Sequence, residues 1–148
     1  MMERIIKFVK YGIKALDYTS PVVDLGVRLW VAHIFWNSGL TKMQSWYSTV
    51  TLFTYEYHVP LLPPELAAYL ATIVEIGGSV LLAFGLASRF GTAALFILNY
   101  VAVMSYPELS DAGRNDHLYW GLLLLLFLFH GPGKLSIDYF LIRRKYMV

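Results

Sequence analysis

The sequence predicts an all-α integral membrane protein, a four-helix bundle with flanking cytoplasmic amphipathic helices. Of the 148 residues, 57% are hydrophobic and only 15% are charged, whereas soluble proteins carry about 25% charged residues. Four apolar stretches approach the roughly 20 residues that a helix needs to cross a bilayer. Proline-rich or polar segments separate these stretches. We therefore predict a single membrane domain over residues 1–148.

The first segment, residues 3–18, predicts a short helix on the membrane surface. Its apolar residues are interrupted by charged ones, namely Glu3, Arg4, Lys7, Lys10 and Lys14. A signal peptide needs an uninterrupted apolar centre and a small-residue cleavage site, and this segment has neither. A basic amphipathic pattern is typical of a helix that lies in the membrane interface. A frayed tail is the alternative interpretation.

The four membrane spans follow in order. Prolines disfavour a helix within Thr49–Pro64, Ser88 and Arg89 form a very short turn, and Pro107–Asn115 is a polar loop. The last span has a short apolar core, so His117 and His130 are expected at its two interfaces. The predicted spans are about 22–41, 65–87, 90–106 and 116–130, and a surface helix follows at about 137–146.

The basic residues predict the orientation, because cytoplasmic loops carry an excess of Lys and Arg. Nine lie on one predicted side and two, Lys42 and Arg114, on the other. Both termini should therefore be cytoplasmic, in the inner membrane of the cell. The basic ends favour anionic lipid headgroups over nucleic acid as partners. The nine are Arg4, Lys7, Lys10, Lys14, Arg89, Lys134, Arg143, Arg144 and Lys145.

Two full charges, Arg28 and Glu75, stand within predicted spans. A charge in hydrocarbon costs about 2.5–3.5 kcal/mol on insertion scales, so it usually faces the bundle interior. Glu75 lies in a stripe of small residues at spacing four, which favours close helix packing. Arg28 is expected to pair either with Asp24, one helical turn earlier, or with Glu75.

Helix rise predicts a polar layer in the bundle. At about 1.5 Å per residue, His33, Glu75 and Asn99 come out near mid-membrane, roughly 15–18 Å deep. The residues of this layer either only hold the helices together or form a site for a ligand, a proton or a quinone. No catalytic residue is assigned. The candidate substrate-binding residues are Arg28, His33, Asn37, Lys42, Glu75 and Asn99.

The chain offers little for an intrinsic cofactor. It has no cysteine, which excludes disulfides and thiolate metal sites within this chain. A haem needs axial ligands at matched depth on facing helices, and the four histidines do not provide them. We expect no metal site and no intrinsic cofactor, with quinone as the one candidate for a bound cofactor.

Several motifs occur together in a specific order. They are Arg28, the segment from Ser38 to Lys42, Glu75 to Gly78, Gly85 to Arg89, and Gly131 to Asp138. From about Asp24 to Phe140 the chain resembles the DoxX family of small four-helix membrane proteins. It departs from the family at Ser38, where members often carry histidine, and at Asp116-His117, where glutamate is common.

This resemblance implies a membrane subunit of a quinone- or thiol/sulfur-linked redox system. Relatives are associated with thiosulfate:quinone oxidoreduction and with membrane assemblies that handle thiol and oxidative stress. In this hypothesis Glu75 relays a proton or bonds a quinone oxygen, and Arg28 and Lys42 attract an anion. Without cysteine or a metal site, the chain is not expected to carry electrons alone. It would need a bound quinone and a redox partner protein.

More distant relatives look like assembly chaperones, so a second hypothesis stays open. In it the chain is a non-catalytic scaffold or assembly factor whose buried polar residues specify helix packing. A carrier of small molecules or lipids is a third. Whether the chain is an enzyme is left open, and a homo-oligomer is compatible with each hypothesis.

Overall fold

The computed structural model describes residues 2–146, and the side chains of residues 2–142. Within this range the chain is helical and contains no strand, so the all-α prediction is confirmed. The helices are α1 (Met2–Gln44), α2 (Trp46–Tyr55), α3 (Pro64–Phe84), α4 (Ser88–Ser105), α5 (Asp111–His130) and α6 (Ile137–Tyr146).

The second half of α1 forms a bundle with α3, α4 and α5. Helix α1 packs on α3, α3 on α4, and α4 on α5, and α5 returns to touch α1. Their shared core is apolar and fully enclosed. It consists of Val31, Ala32, Phe35, Leu82, Leu95, Leu124 and Phe127.

Helix α1 is one continuous helix of 43 residues with Pro21 inside it. Residues 3–18, predicted as a separate surface helix, therefore continue into the first bundle helix without a break. A proline inside a helix removes one hydrogen bond and crowds the carbonyl group four residues earlier, but the helix continues on both sides of Pro21. Residues 2–20 are exposed throughout. Their placement on a membrane surface stays a prediction.

The structure differs from the sequence prediction a second time at α2, because this helix lies in the segment that was predicted to be a linker. The prolines that prompted this prediction all follow the end of α2, so none of them interrupts it. Phe53 of α2 packs on three alanines of α3, namely Ala67, Ala68 and Ala71. Helix α2 therefore covers the first half of α3.

Helix α5 begins at Asp111 rather than at Asp116. The side chain of Ser110 accepts a hydrogen bond from the backbone N–H of Gly113, at 3.1 Å. Serine is a preferred N-cap residue because its hydroxyl satisfies an N–H group of the first turn. The segment that looked like polar loop is thus the capped first turn of the helix.

Among the described residues, α3 alone meets a length and hydropathy test for a membrane span, with a mean hydropathy of 1.8. Helices α1, α4 and α5 carry charged or strongly polar residues within or at the ends of their apolar stretches. The arrangement of four membrane spans therefore stays a prediction.

Arg28 is buried at the end of the bundle where α3 and α5 finish. Its side chain is 1% exposed, and its guanidinium donates hydrogen bonds to the carbonyl oxygens of Pro132 and, at 2.7 Å, Leu135. Within residues 2–142 it forms no ion pair with either expected partner, Asp24 or Glu75. Arginine has five N–H donors and can satisfy several carbonyls at once. Backbone oxygens of the α5–α6 loop have taken the place of a carboxylate.

Asp138 ties the same loop to the start of α4. Its two carboxylate oxygens accept hydrogen bonds from the backbone N–H groups of Ala87 and Ser88, each at 2.9 Å. Gly85 ends α3 with φ +62°, and a Cβ there would lie 2.5 Å from the Cβ of Ser136. Together with Arg28, these residues form a junction, here called the Arg28 junction, that joins the ends of α3 and α5 to the start of α4.

We expect Arg28→Leu to destabilise the fold. It would leave two buried carbonyl oxygens without donors, at a cost of roughly 2–4 kcal/mol. The measurement is thermal unfolding of the detergent-solubilised protein, followed by tryptophan fluorescence. Arg89→Leu is the matched control, because Arg89 is exposed and makes one long contact of 3.5 Å with the carbonyl oxygen of Phe129. Equal unfolding midpoints for the two variants would contradict a structural role for Arg28.

Candidate functional site

A cavity of about 580 Å³ lies at the other end of the bundle from the Arg28 junction. It is bordered by the end of α1, by α2 and the segment after it, by the first half of α3, by the second half of α4, and by the start of α5, and it is partly open to the outside. Most of its wall is apolar. The polar or amphipathic side chains that line it are Ser38, Lys42, Tyr57, Glu75, Asn99, His117 and Trp120.

A closed hydrogen-bonded ring of Ser38, Lys42 and Glu75 forms the charged part of the wall. The Lys42 ammonium lies 2.7 Å from Oε1 and 2.8 Å from Oε2 of Glu75. It also donates to the Ser38 hydroxyl at 3.0 Å, and that hydroxyl donates to Oε1 of Glu75 at 3.0 Å. Lysine has three N–H donors, so each one has an acceptor within the ring.

Because it is buried, this ring affects the stability of the protein more than a surface ion pair would. The Glu75 and Lys42 side chains are 8% and 17% exposed. Removing a carboxylate from water costs several kcal/mol unless a charge and hydrogen bonds compensate it. The ring supplies both kinds of compensation. Among the described side chains, Lys42 and Glu75 form the one ion pair.

The spacing of residues along α1 explains how the side chains of the ring meet. Ser38 and Lys42 are four residues apart, so they share one face of α1. Gly39 lies between them at the contact with α3, where a Cβ would come 2.7 Å from Cδ1 of Ile76. A larger residue at this position would displace the Ile76 side chain and crowd the Cβ of Glu75, at 3.2 Å. The Thr49 hydroxyl of α2 bonds the Lys42 carbonyl at 2.9 Å, which connects α2 to the end of α1.

Asn99 fixes the orientation of His117 on another part of the wall. Its side-chain N–H donates to the backbone carbonyl of His117 at 2.9 Å, so its Oδ1 is the atom 2.7 Å from Nδ1 of that ring. An amide oxygen only accepts, so Nδ1 of the imidazole carries the proton. In the neutral ring Nε2 is then the acceptor. The ring also contacts Trp120 edge to face, with centroids 4.9 Å apart.

Three stacked aromatic rings close the cavity beside α2. Tyr57 stacks between Phe53 and Tyr106, with centroid distances of 4.9 and 5.0 Å. The Tyr106 hydroxyl donates to Glu56 at 3.0 Å. Burial raises the pKa of Tyr57, which lies between α2 and α3, so its hydroxyl stays neutral at ordinary pH.

The structure brings together three of the six candidate site residues. Lys42, Glu75 and Asn99 all line the cavity. Arg28 lies instead in the Arg28 junction, and His33 and Asn37 bond to each other at 2.9 Å on an exposed face of α1.

The helical wheel explains the position of His33 and Asn37. His33 precedes Ser38 by five residues, or about 140° around the helix, and so faces away from the ring. Depth predicted His33 for the polar layer, and depth does not specify which side of a helix a residue occupies. His33 borders a separate groove of about 300 Å³ between α1 and α3.

Four polar or amphipathic residues of the cavity wall were not among the candidates, namely Ser38, Tyr57, His117 and Trp120. The spacing of Ser38 and Lys42 by one turn was a usable signal for the first. His117 was expected at an interface because α5 was predicted to begin later than it does. Tyr57 follows α2, which was not predicted, so no sequence pattern placed it near the site.

Comparisons with known proteins give a family match. The DoxX family profile matches residues 23–107. The chain is also similar to an uncharacterized protein of Haemophilus influenzae, with 32% identity over 129 residues that cover 80% of this chain and 83% of the relative. No solved structure matches this chain.

We expect Lys42→Met and Glu75→Gln each to destabilise the protein by roughly 3–5 kcal/mol, because each leaves a buried group without its partner. The double variant should cost clearly less than the sum of the two, since it removes both charges. Thermal unfolding of the wild type, both single variants and the double variant gives this coupling energy. Additive effects would show that the two side chains do not stabilise each other.

Proposed function

This chain belongs to the DoxX family, and we propose on that premise that it binds an apolar ligand with a quinone-type head in the Lys42–Glu75 cavity. It would do so as a membrane subunit of a redox system. The observation that carries the proposal is the cavity itself, with an apolar wall and a few fixed polar groups.

Placement in a membrane is supported by the outer faces of the bundle. Large apolar side chains are exposed along α3, α4 and α5. Soluble monomers rarely expose contiguous apolar patches above a few hundred Å², whereas lipid tails would cover such a surface. Examples are Ile73, Phe84, Phe90, Ile97, Met104, Leu122, Leu126 and Phe129.

The cavity dimensions favour a small organic ligand. Ligand sites typically measure about 300–1,000 Å³ and are mainly apolar, with a few convergent polar groups. Here the volume is about 580 Å³, and the aromatic side chains of Tyr57 and Trp120 provide flat surfaces for a ring. The alanines of α3 and α4 leave room for an isoprenoid or alkyl tail. A quinone-type molecule has this combination of ring and tail.

The ring of Ser38, Lys42 and Glu75 argues against the sulfur-anion form of the hypothesis. Glu75 neutralises Lys42, and Arg28 lies at the other end of the bundle, so no uncompensated cation faces the cavity. An anion would have to displace Glu75 from Lys42. Because the chain has no cysteine, thiol or sulfur chemistry would come from a redox partner protein, with the quinone-type ligand as electron carrier.

A scaffold or assembly factor is the second candidate function. It is favoured by one observation. The ring residues compensate each other's charges and pair all their hydrogen-bond donors without a ligand. Such a ring can fix the register of α1 against α3 and do nothing more. The two proposals differ in whether the cavity is occupied.

We expect a short-tailed benzoquinone to stabilise the wild type against thermal unfolding, by about 2.7 kcal/mol at a hundred times its dissociation constant. Ala71→Phe should abolish this effect, because Ala71 lines the cavity and a phenyl group would fill it. Ile73→Phe on the exposed face of α3 is the matched control and should keep it.

Mass spectrometry of lipid extracts from the purified protein provides an independent measurement for the same proposal. Absence of both ligand-induced stabilisation and a co-purified quinone would favour the scaffold.

The proposed orientation places both termini in the cytoplasm and the α2–α3 segment outside. Because the chain has no cysteine, single cysteines can report the side of the membrane. Leu61→Cys, at a fully exposed position, should react with a membrane-impermeant maleimide in intact spheroplasts. Lys10→Cys should react only after lysis. The reverse pattern would invert the proposed topology.

A further inference from the structure

The hydrogen-bonding capacity of the Ser38–Lys42–Glu75 ring restricts which ligand it can hold. The ammonium of Lys42 has three donors and three acceptors within the ring, and the hydroxyl hydrogen of Ser38 bonds Glu75. No N–H or O–H donor of the ring is therefore left for a ligand. Oε1 of Glu75 accepts two hydrogen bonds and Oε2 accepts one, so Oε2 retains a lone pair. The free capacity of the ring is that of an acceptor.

His117 offers an acceptor as well. Because Asn99 holds the proton of the imidazole on Nδ1, Nε2 has a lone pair and no hydrogen. Within the described residues Nε2 makes no hydrogen bond, and the ring lines the cavity. Two separate polar groups of the wall thus present lone pairs rather than hydrogens.

Quinones and hydroquinones differ in what they can offer to these groups. A quinone carbonyl only accepts hydrogen bonds, so it would place its lone pairs against those of Glu75 or His117. A hydroquinone or phenol has an O–H donor that either group can accept. The remaining donors of the wall are the hydroxyl of Tyr57, the indole N–H of Trp120 and the second amide N–H of Asn99. They serve both forms alike, because both carry oxygen lone pairs.

We infer that the cavity recognises the reduced, hydroxyl-bearing form of its ligand, and that Glu75 and His117 are the residues that select it. This inference rests on the proposed binding of a quinone-type molecule and adds the redox form of that molecule. Each hydroxyl bonded to a partly buried acceptor discriminates against the analogue that lacks it. We expect the hydroquinone to bind at least about tenfold more tightly than the quinone, the discrimination of about one net hydrogen bond.

The test compares decyl-benzohydroquinone with decyl-benzoquinone, which share the ring and the tail. Their affinities for the full chain in lipid nanodiscs are measured from ligand-dependent thermal stabilisation, under anaerobic conditions so that the hydroquinone stays reduced. Tighter binding of the hydroquinone by tenfold or more is the expected result. Equal affinities, or tighter binding of the quinone, would overturn the inference and leave the proposed function intact. Failure of both to bind would overturn both.

His117→Leu and His33→Leu form a matched pair for the role of His117. The two variants make the same change, but His33 lies outside the cavity on the exposed face of α1. His117→Leu should lower the hydroquinone-to-quinone affinity ratio at least threefold while quinone affinity stays within twofold, and His33→Leu should leave the ratio unchanged. If His117→Leu left the hydroquinone-to-quinone affinity ratio unchanged, His117 would not be one of the residues that select the reduced form. The wild-type comparison of the two ligands decides the main inference even where a variant fails to fold.

Discussion

The need to neutralise a carboxylate halfway along α3 determines the arrangement of the helices around the cavity. Glu75 is buried, and a buried carboxylate is tolerated only with a charge partner and hydrogen bonds. Lys42 provides the charge because it lies in the last turn of α1, where the helix dipole also favours a cation. Ser38 completes the hydrogen bonds, and Gly39 permits the close approach of α1 and α3 that these contacts require.

A shift of α1 along α3 by one turn, about 5.4 Å, would break all of these contacts together. Polar contacts therefore help to set the register of these two helices, together with the close-packed apolar core that they share.

The motifs that characterise the family divide between the two ends of the bundle. The Arg28 junction consists of Arg28, Gly85 and the segment from Gly131 to Asp138. There the side chains of Arg28 and Asp138 satisfy backbone carbonyl and N–H groups of loops and helix ends. The segment from Ser38 to Lys42 and Glu75 belong to the cavity. The Arg28 junction is held by hydrogen bonds between side chains and backbone, whereas at the other end α2 and Tyr57 border the cavity. The proposed binding site would lie on a scaffold that is fixed at its far end, as such a site requires.

The sequence alone was a good guide to the helices and a partial guide to the site. Apolar stretches and prolines predicted the long helices, and the isolation of Glu75 among small residues marked it as inward-facing. The partners of Arg28 could not be predicted, because they are backbone carbonyls about a hundred residues away in the chain, and backbone acceptors have no sequence signature. His33 was grouped with Glu75 because their depths are equal, but the face of α1 that carries His33 and Asn37 is exposed and lies away from Glu75. His117 entered the site only because the Ser110 cap starts α5 earlier than its apolar core suggests.

A self-satisfied ion pair also affects how a ligand would exchange. If Lys42 lacked Glu75, each departing ligand would leave an uncompensated charge in an apolar cavity, and release would be slow. In the observed ring the charges compensate each other whether the cavity is filled or empty, so a neutral ligand has only its own hydrogen bonds and apolar contacts to lose. For the proposed ligand, moderate affinity and rapid exchange would follow from this, and both would suit a molecule drawn from a pool dissolved in the membrane. The same property would let the bundle stay folded when the cavity is empty. The contacts that stabilise the ring would thus also set the rate at which the proposed ligand exchanges.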